Sequence, residues 1–330
     1  MKKIYITLLC FALVFLCVSC AKESDKNGVS QNSTTESTTD TTLPEIITPE
    51  IIESTQINIS NEGEKASLII KGAKDNTTLS GLGALEGVTY SVPNEKASLS
   101  SAKVSHSHGP ASGGKAHHTV IEFQKTFEKY GAVTLDTKTD KKALYLTFDC
   151  GYEYENLTNK VLDVLSQKGV NATFFCTLDH IKSEHELIAR MIKEGHIVGN
   201  HSTTHPSFAE INTTQMVKEI EQTENYLREN FGYAAKVFRF PKGEYNEKAL
   251  SVVQSLGYMS VFWSVAYDDW NTDTVRGKDY AIEKVLSRLH DGAIILLHSV
   301  SKDNAEALGD IIDKAREQGY EFYSLQELYG

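Results

Sequence analysis

The chain has 330 residues, enough for one large domain with appendages or for two ordinary domains. Its composition, 40% hydrophobic and 23% charged, is typical of a globular protein. Acidic residues outnumber basic ones by 44 to 33, and the resulting net charge of −11 argues against a nucleic-acid-binding protein, which normally presents a basic face.

Residues 1–20 have the pattern of a secretory signal peptide. Lys2 and Lys3 precede an uncharged apolar run that is shorter than the ~20 residues of a membrane-spanning helix. The run ends in LCVSC, which resembles a bacterial lipobox, so we expect Cys20 to be lipidated and to become the mature N-terminus. Cys17 is less typical than Leu at its lipobox position, which leaves a retained membrane anchor as the alternative. Both predict an exported protein, held on the extracytoplasmic face of a bacterial cell membrane.

Cysteine usage agrees with export. Cys10 and Cys17 would leave with the signal peptide and Cys20 would carry lipid, so only Cys150 and Cys176 remain in the body. Both follow apparent strands, and an oxidising exterior would permit a disulfide between them. Two cysteines cannot form a disulfide scaffold, so a buried apolar core must hold the fold.

The segment between the predicted signal peptide and the main domain differs in composition from the rest of the chain. Residues 21–56 are rich in Ser and Thr and predict a disordered linker, and residues 57–140 predict a weakly structured N-terminal extension. Within the extension, residues 105–118 contain four histidines among Gly, Ser and Pro. Such clusters can bind metal, but we favour an exposed loop because its neighbours are flexible. A short helix over residues 121–132 then leads into a catalytic domain at 141–330.

Strands and helices alternate regularly from Leu144 onward. The apparent strands are LYLTF (144–148), ATFFC (172–176), HIVGN (196–200), KVFRF (236–240), SVFWS (260–264), AIILL (293–297) and EFY (321–323). Helical patterns connect them, which predicts parallel strands with helical crossovers. This order fits an irregular (β/α) barrel or an open doubly wound sheet, and both folds place functional groups at the carboxyl ends of strands.

Titratable and metal-binding residues follow five of these strands. They are Asp149 and Cys150 after the first, Asn200, His201 and His205 at the third, Arg239 in the fourth, Asp268, Asp269 and Trp270 after the fifth, and His298 after the sixth. Packing alone does not predict that such residues gather at one rim. The pattern therefore indicates a functional site at the carboxyl edge of the sheet.

HSTTH, residues 201–205, is the sharpest local signal. Two histidines at positions i and i+4 of a helical turn point to the same side, and imidazole suits Zn²⁺ and its first-row neighbours. The spacing also arises by chance, but beside a carboxylate at a strand end we favour metal binding by His201 and His205. Two histidines make an incomplete site, so Asp149 or Cys150 would have to supply a third ligand.

The other residues at this rim include candidates for a base and an acid. Asp149 could activate a water, Arg239 could keep that carboxylate ionised, and His298 could act as general acid. Asp269 could hold the second ring nitrogen of His298 and stabilise the imidazolium form, while Trp270 is a candidate pocket wall. Each also has a structural interpretation, such as a strand-terminating aspartate or a core-edge histidine. Together with a metal ion they are the equipment for metal-assisted hydrolysis.

Five motifs in this order resemble those of the polysaccharide deacetylases, carbohydrate esterase family four. They are TFDCG (147–151), HSTTH (201–205), RFPKG (239–243), DDW (268–270) and LLHS (296–299). The stretches GHIVGNHS and FWSVAYDDW are most similar to the branch of delta-lactam-biosynthetic de-N-acetylases, which act on muramic residues of peptidoglycan. The resemblance implies a distorted (β/α)₇ barrel and a divalent metal ion, usually zinc.

The resemblance implies the same base, acid and histidine ligands as the residues themselves, and it adds further roles. A backbone N–H near Lys242 would help to bind the oxyanion, and Leu296 with Trp270 would shape the acetyl pocket. Cys150 stands where most members have a second aspartate that binds the metal, and Ala266 where many have an acidic residue. Cys150 is then either a thiolate ligand or a bystander. We favour the bystander, because the most similar branch tolerates an uncharged residue there.

We therefore expect a lipid-anchored, zinc-dependent hydrolase that removes N-acetyl groups from cell-wall glycan, with N-acetylmuramic acid as one candidate sugar. One alternative is a deacetylase of another polysaccharide, such as chitooligosaccharide or acetylated xylan. The other is an inactive lipoprotein that binds the wall. We expect a monomer with a glycan substrate and no nucleic-acid partner.

Overall fold

The computed structural model describes residues 98–329. Strands in this part of the chain are β1 (Val104–Ser105), β2 (Ala132–Val133), β3 (Ala143–Cys150), β4 (Thr173–Cys176), β5 (Ile197–Asn200), β6 (Val237–Phe238), β7 (Glu244–Tyr245), β8 (Met259–Val261), β9 (Ala293–His298) and β10 (Glu321–Tyr323). Its α-helices are α1 (His118–Phe127), α2 (Leu157–Lys168), α3 (Leu178–Ser183), α4 (His185–Lys193), α5 (Thr213–Phe231), α6 (Glu247–Ser255), α7 (Lys278–Leu286), α8 (Lys302–Glu317) and α9 (Gln326–Tyr329).

The predicted signal peptide, the linker at 21–56 and residues 57–97 of the predicted extension lie outside the described residues. Among the helices that are described, none combines the length and the apolar character needed to span a membrane.

Eight strands of the described chain form one parallel sheet. Its order is β10-β3-β4-β5-β6-β8-β2, and β9 pairs along β3. The sheet curls back on itself after β8, where the N–H groups of Ser264 and Val265 donate to the carbonyl of Ile294 (2.9 and 3.2 Å). The N–H of Leu296 in turn donates to the carbonyl of Val265 (2.8 Å). The result is an irregular barrel, which confirms the predicted distorted (β/α)₇ fold and excludes the open sheet.

The apolar runs of the sequence explain the layering. β3 and β9 are buried along nearly their whole lengths, as parallel strands are when helices cover one face and other strands the opposite one. All seven predicted strands are present, as β3, β4, β5, β6, β8, β9 and β10. Because these strands are parallel, their carboxyl ends share one edge, and the loops that leave this edge carry the predicted site residues.

Residues 98–140 pack into the same core, although the sequence analysis placed the start of the catalytic domain at residue 141. β2 extends the main sheet by pairing with β8, and β1 pairs antiparallel with β7. Phe127, at the end of α1, is fully buried and stacks on Phe262 with ring centroids 4.2 Å apart. The histidine-rich stretch is predicted to be an exposed loop, but Nε2 of its His106 hydrogen-bonds to the carbonyl of Trp263 (2.7 Å). This segment is therefore structured where the sequence predicted little structure.

Phe127→Ala should lower the free energy of unfolding by about 3–5 kcal/mol, because it removes a stacked ring from a fully buried position. Urea unfolding followed by circular dichroism measures the change. Ile121→Ala is the matched control on the same helix, since Ile121 is 36% exposed and should cost much less. Equal effects of the two substitutions would show that α1 is not part of the barrel core.

Candidate active site

The candidate site lies at the carboxyl edge of the parallel sheet, where β3, β5, β6 and β9 end. Asp149 and His298 are register partners on the neighbouring strands β3 and β9, so the candidate base and acid are adjacent. Arg239 follows β6, and its backbone N–H donates to the carbonyl of Asn200 at the end of β5 (3.1 Å). The fold thus brings together residues that are far apart in the sequence, such as Asp149 and His298.

Arg239 is a fully buried cation that holds the base in place. Its Nη1 donates to Asp149 Oδ1 (2.8 Å), and its Nη2 donates to the Thr147 hydroxyl (2.9 Å) and the Phe262 carbonyl (3.3 Å). Its Nε donates to the carbonyl of Val261 (3.0 Å). All three guanidinium nitrogens are therefore hydrogen-bonded, which is the condition for burying an arginine without a large desolvation penalty.

The two histidines of HSTTH lie in the loop after β5, so the predicted helical turn is wrong. The side chain of Asn200 accepts a hydrogen bond from the Ser202 N–H (2.9 Å), and the Ser202 hydroxyl accepts one from the His205 N–H (3.0 Å). Ser202 and His205 have left-handed backbones, with φ of 70° and 57°, which are strained for residues other than glycine. These bends bring the rings of His201 and His205 to a centroid separation of 4.9 Å.

His201 is oriented as a metal ligand. Its Nδ1–H donates to the carbonyl of Arg239 (2.8 Å), which leaves a lone pair on Nε2, 3.6 Å from Asp149 Oδ2. Burial lowers the pKa of His201, and burial together with the neighbouring His201 lowers the pKa of His205 to about 4. Both rings are therefore neutral and able to coordinate. Two neutral imidazoles beside a carboxylate are a donor set that fits a divalent first-row metal ion.

Cys150 does not join this donor set. It is the residue after Asp149 on β3, and successive side chains of a strand face opposite sides. Its Sγ is buried and lies 3.3 Å from the hydroxyl of Ser299. Cys150 and Cys176 are both free thiols, so the disulfide that the sequence allowed is not formed. Of the two residues considered as third ligand, the structure therefore leaves Asp149 beside the histidines.

His298 is held by a network that extends to α8. Asp269 accepts hydrogen bonds from Nδ1–H of His298 (2.7 Å) and from its backbone N–H (2.8 Å). The Asn304 amide donates to the same carboxylate (2.6 Å), and the Tyr267 hydroxyl donates to Asn304 (2.5 Å). The sequence predicted the Asp269–His298 pair but missed Asn304 and Tyr267. Tyr267 lies within FWSVAYDDW, but neither that stretch nor the sequence around Asn304 indicates a contact between the two.

Asp149 and His298 have opposite protonation preferences. Burial would raise the pKa of Asp149, but the charge of Arg239 and the neighbouring His201 and His298 hold it below its ordinary value. Burial would lower the pKa of His298, but the carboxylates of Asp269 and Asp149 raise it above its ordinary value. Asp149 is thus kept ionised and His298 is favoured in its protonated form. A site of this kind can accept one proton and donate another in the same reaction.

The three predicted pocket residues border this site. Trp270 is 59% exposed, and its ring centroid lies 6.3 Å from that of His298. Leu296 precedes His298 by two positions on β9, so both side chains point to the same face, and Leu296 is buried. Lys242 is exposed in the short 3₁₀ turn Pro241–Gly243 after Arg239, with a left-handed φ of 61°. Trp270 and Leu296 are thus each placed relative to His298, one by ring contact and the other by its position on β9.

Comparisons with known proteins agree with this geometry. The family model of polysaccharide deacetylases matches residues 136–261. The chain is 42% identical over 238 residues to the peptidoglycan-N-acetylmuramic acid deacetylase PdaA of Bacillus subtilis, covering 72% of this chain and 87% of that one. It is 34% identical over 206 residues to a peptidoglycan-N-acetylglucosamine deacetylase of Bacillus cereus, covering 61% of this chain and 73% of that one.

The fold also matches a solved relative. The structure of Bacillus subtilis PdaA, a family 4 carbohydrate esterase, aligns with a TM-score of 0.66 and 38% identity, covering 70% of this chain and 98% of that one. A family 4 carbohydrate esterase from Bacillus anthracis aligns with a TM-score of 0.58 at the same identity. The chain therefore belongs to the polysaccharide deacetylase family, that of the family 4 carbohydrate esterases.

Proposed function

We propose that this protein removes N-acetyl groups from the amino sugars of peptidoglycan, with N-acetylmuramic acid as the preferred sugar. The observation that carries the proposal is the register pairing, on adjacent strands, of Asp149, whose pKa Arg239 lowers, with His298, whose pKa Asp269 raises. Amide hydrolysis needs both groups, because the amine is a poor leaving group unless its nitrogen is protonated. The preference for muramic residues is supported by the similarity to PdaA, which covers 87% of that enzyme.

The side chains divide the reaction between them. Arg239 binds Oδ1 of Asp149, which leaves Oδ2 to take a proton from the water that attacks the acetyl carbonyl. His298, fixed through Nδ1 by Asp269, has Nε2 left to give its proton to the amide nitrogen as the carbon–nitrogen bond breaks. A divalent ion, for which we propose zinc, would be held by His201 and His205 and would polarise the carbonyl and the water. The products are acetate and the free amino sugar.

Asp149→Asn should lower the rate of acetate release from peptidoglycan by about 10²–10⁴-fold, the range typical of a lost general base. An asparagine keeps the shape of the side chain but cannot take the proton. Asp140→Asn is the control. Asp140 is an exposed carboxylate shortly before β3 begins, and its replacement should leave the rate unchanged. Undiminished acetate release by the double variant Asp149→Asn, His201→Ala would contradict the proposed mechanism.

The sugar is identified from the same reactions. Mass spectrometry of muramidase-digested product assigns each lost acetyl group to a muramic acid or a glucosamine residue. We expect the loss on muramic acid. Loss of acetyl groups from glucosamine alone would support peptidoglycan deacetylation and contradict the preference for muramic acid. Acetate release only from chitooligosaccharide or acetylated xylan would contradict peptidoglycan as the substrate.

Asp269→Asn should move the alkaline limb of the kcat/KM profile to lower pH. The Asp269 carboxylate opposes burial and raises the pKa of His298, so its loss lets burial lower that pKa and His298 loses its proton earlier as pH rises. The other charged groups facing His298, Asp149 and Arg239, stay in place. Asp268→Asn is the matched control, because Asp268 is 51% exposed and pairs with Arg276. An unchanged alkaline limb in Asp269→Asn would show that His298 is not the acid.

We further propose that lipid on Cys20 anchors the enzyme to the outer face of the cell membrane. The support is the lipobox-like LCVSC, followed by a Ser/Thr-rich stretch suited to span between membrane and wall. Cys20→Ala should abolish labelling by a fatty-acid analogue and shift the protein out of the lipid-modified membrane fraction. Equal labelling of the variant and the wild type would refute this anchor.

A further inference from the structure

A second group of potential metal ligands lies behind β3, away from His201 and His205. The Sγ atoms of Cys150 and Cys176 and a ring nitrogen of His180 all lie within 4.8 Å of one another, and all three residues have no exposed surface. Within residues 98–329 this is the only group of three or more His, Cys, Asp or Glu side chains that meets this distance. The reaction proposed above uses none of the three.

The backbone fixes the three side chains relative to one another. Cys150 and Cys176 are register partners on β3 and β4, so their side chains emerge on the same face of the sheet. Thr177 follows Cys176, donates its N–H to the Cys150 carbonyl (3.1 Å) and caps α3 by accepting the N–H of His180 (3.4 Å). His180 therefore sits in the first turns of a helix that begins directly after β4. A site built in this way is preorganised by regular structure rather than by a loop.

His180 lacks the partners that a buried imidazole normally has. Both of its ring nitrogens are buried without a hydrogen bond, which is unusual for a residue with no exposed surface. Burial lowers the pKa of His180 to about 4, so the ring is neutral and offers a lone pair. The thiols also have weak partners, since Cys150 contacts the Ser299 hydroxyl at 3.3 Å and Cys176 the Phe174 carbonyl at 3.7 Å.

The chemistry of the group selects the ion. Two thiolates and one imidazole are a soft donor set of the kind that binds Zn²⁺ in structural sites. A divalent ion with two thiolates gives a neutral complex, which can be buried at low cost, whereas a monovalent ion would leave a buried negative charge. Burial raises the pKa of the Cys176 thiol, so the bound cation is what would stabilise the thiolate form.

We propose that Cys150, Cys176 and His180 form a structural zinc site, separate from the catalytic histidines, that joins β3, β4 and α3 directly behind Asp149. The site is closed to solvent, as structural zinc sites are, and its ligands come from two neighbouring strands, β3 and β4, and from the helix that follows β4. Binding of the ion is coupled to folding, because the unfolded chain does not hold these ligands together. The proposal stands independently of the deacetylase activity.

Metal content of the intact protein tests the proposal. Protein expressed with zinc and purified with a thiol reductant should carry two zinc ions per chain by plasma mass spectrometry. His201→Ala should lose one ion and keep the other, and Cys176→Ser should lose the ion that His201→Ala keeps. His290→Gln, which alters a buried histidine outside both groups, should keep both ions.

Cobalt substitution identifies the ligands without any variant of the buried group. Co²⁺ bound by thiolates gives an intense near-ultraviolet charge-transfer band, which the two-histidine site cannot produce. We expect this band in the wild type and in His201→Ala. A wild-type protein that holds one ion and shows no such band overturns the proposal, even if Cys176→Ser fails to fold. A disulfide between Cys150 and Cys176 in the protein as isolated would overturn it as well.

Discussion

The buried guanidinium of Arg239 is the interaction on which the active-site end of the barrel depends. It bonds to the side chains of Asp149 and Thr147 on β3 and to carbonyls at the end of β8, and it stacks over the ring of Phe175 on β4 at 4.1 Å. Arg239 thereby links β3, β4 and β8 to β6, the strand that it follows. Its own carbonyl orients His201. Such a cation can be buried only with its counter-ion, so the fold and the ionised base require each other.

The same side-chain type serves two chemical purposes because its neighbours differ. Burial lowers the pKa of His201, and burial together with His201 lowers the pKa of the half-buried His205, so both rings are neutral and suited to coordinate. His298 is partly buried, and it is bonded to Asp269, which favours the charged form. Asn304 donates a third hydrogen bond to that carboxylate and so helps to fix its direction. The protonation preference of each ring therefore depends on its partners as well as on its burial.

The sequence predicted the barrel strands and the residues at their ends, because long apolar runs and the alternation of strands and helices are strong local signals. It did not predict β1, β2 and β7, since these two-residue strands, unlike β6 within KVFRF, lie outside the seven strand-like runs, and so it missed that residues 98–140 pack into the barrel core. The HSTTH spacing predicts two neighbouring histidine rings, and the rings do lie close together. The helical turn that the spacing predicts is wrong, because the segment is a loop. Its rings meet through left-handed backbone at Ser202 and His205, which local propensity does not indicate.

The end of β3 shows how one residue step separates two kinds of chemistry. Asp149 faces the barrel mouth, where Arg239 and His298 control its charge, and Cys150 faces the helical layer, where Cys176 and His180 surround it. An aspartate in place of Cys150 would bring a second carboxylate to this end of the strand, on the buried face next to Cys176 and His180. A thiol tolerates that environment. The cysteine is therefore compatible with its buried position. On the opposite face of this strand end, Asp149 is the single carboxylate, and Arg239 orients it through a hydrogen bond.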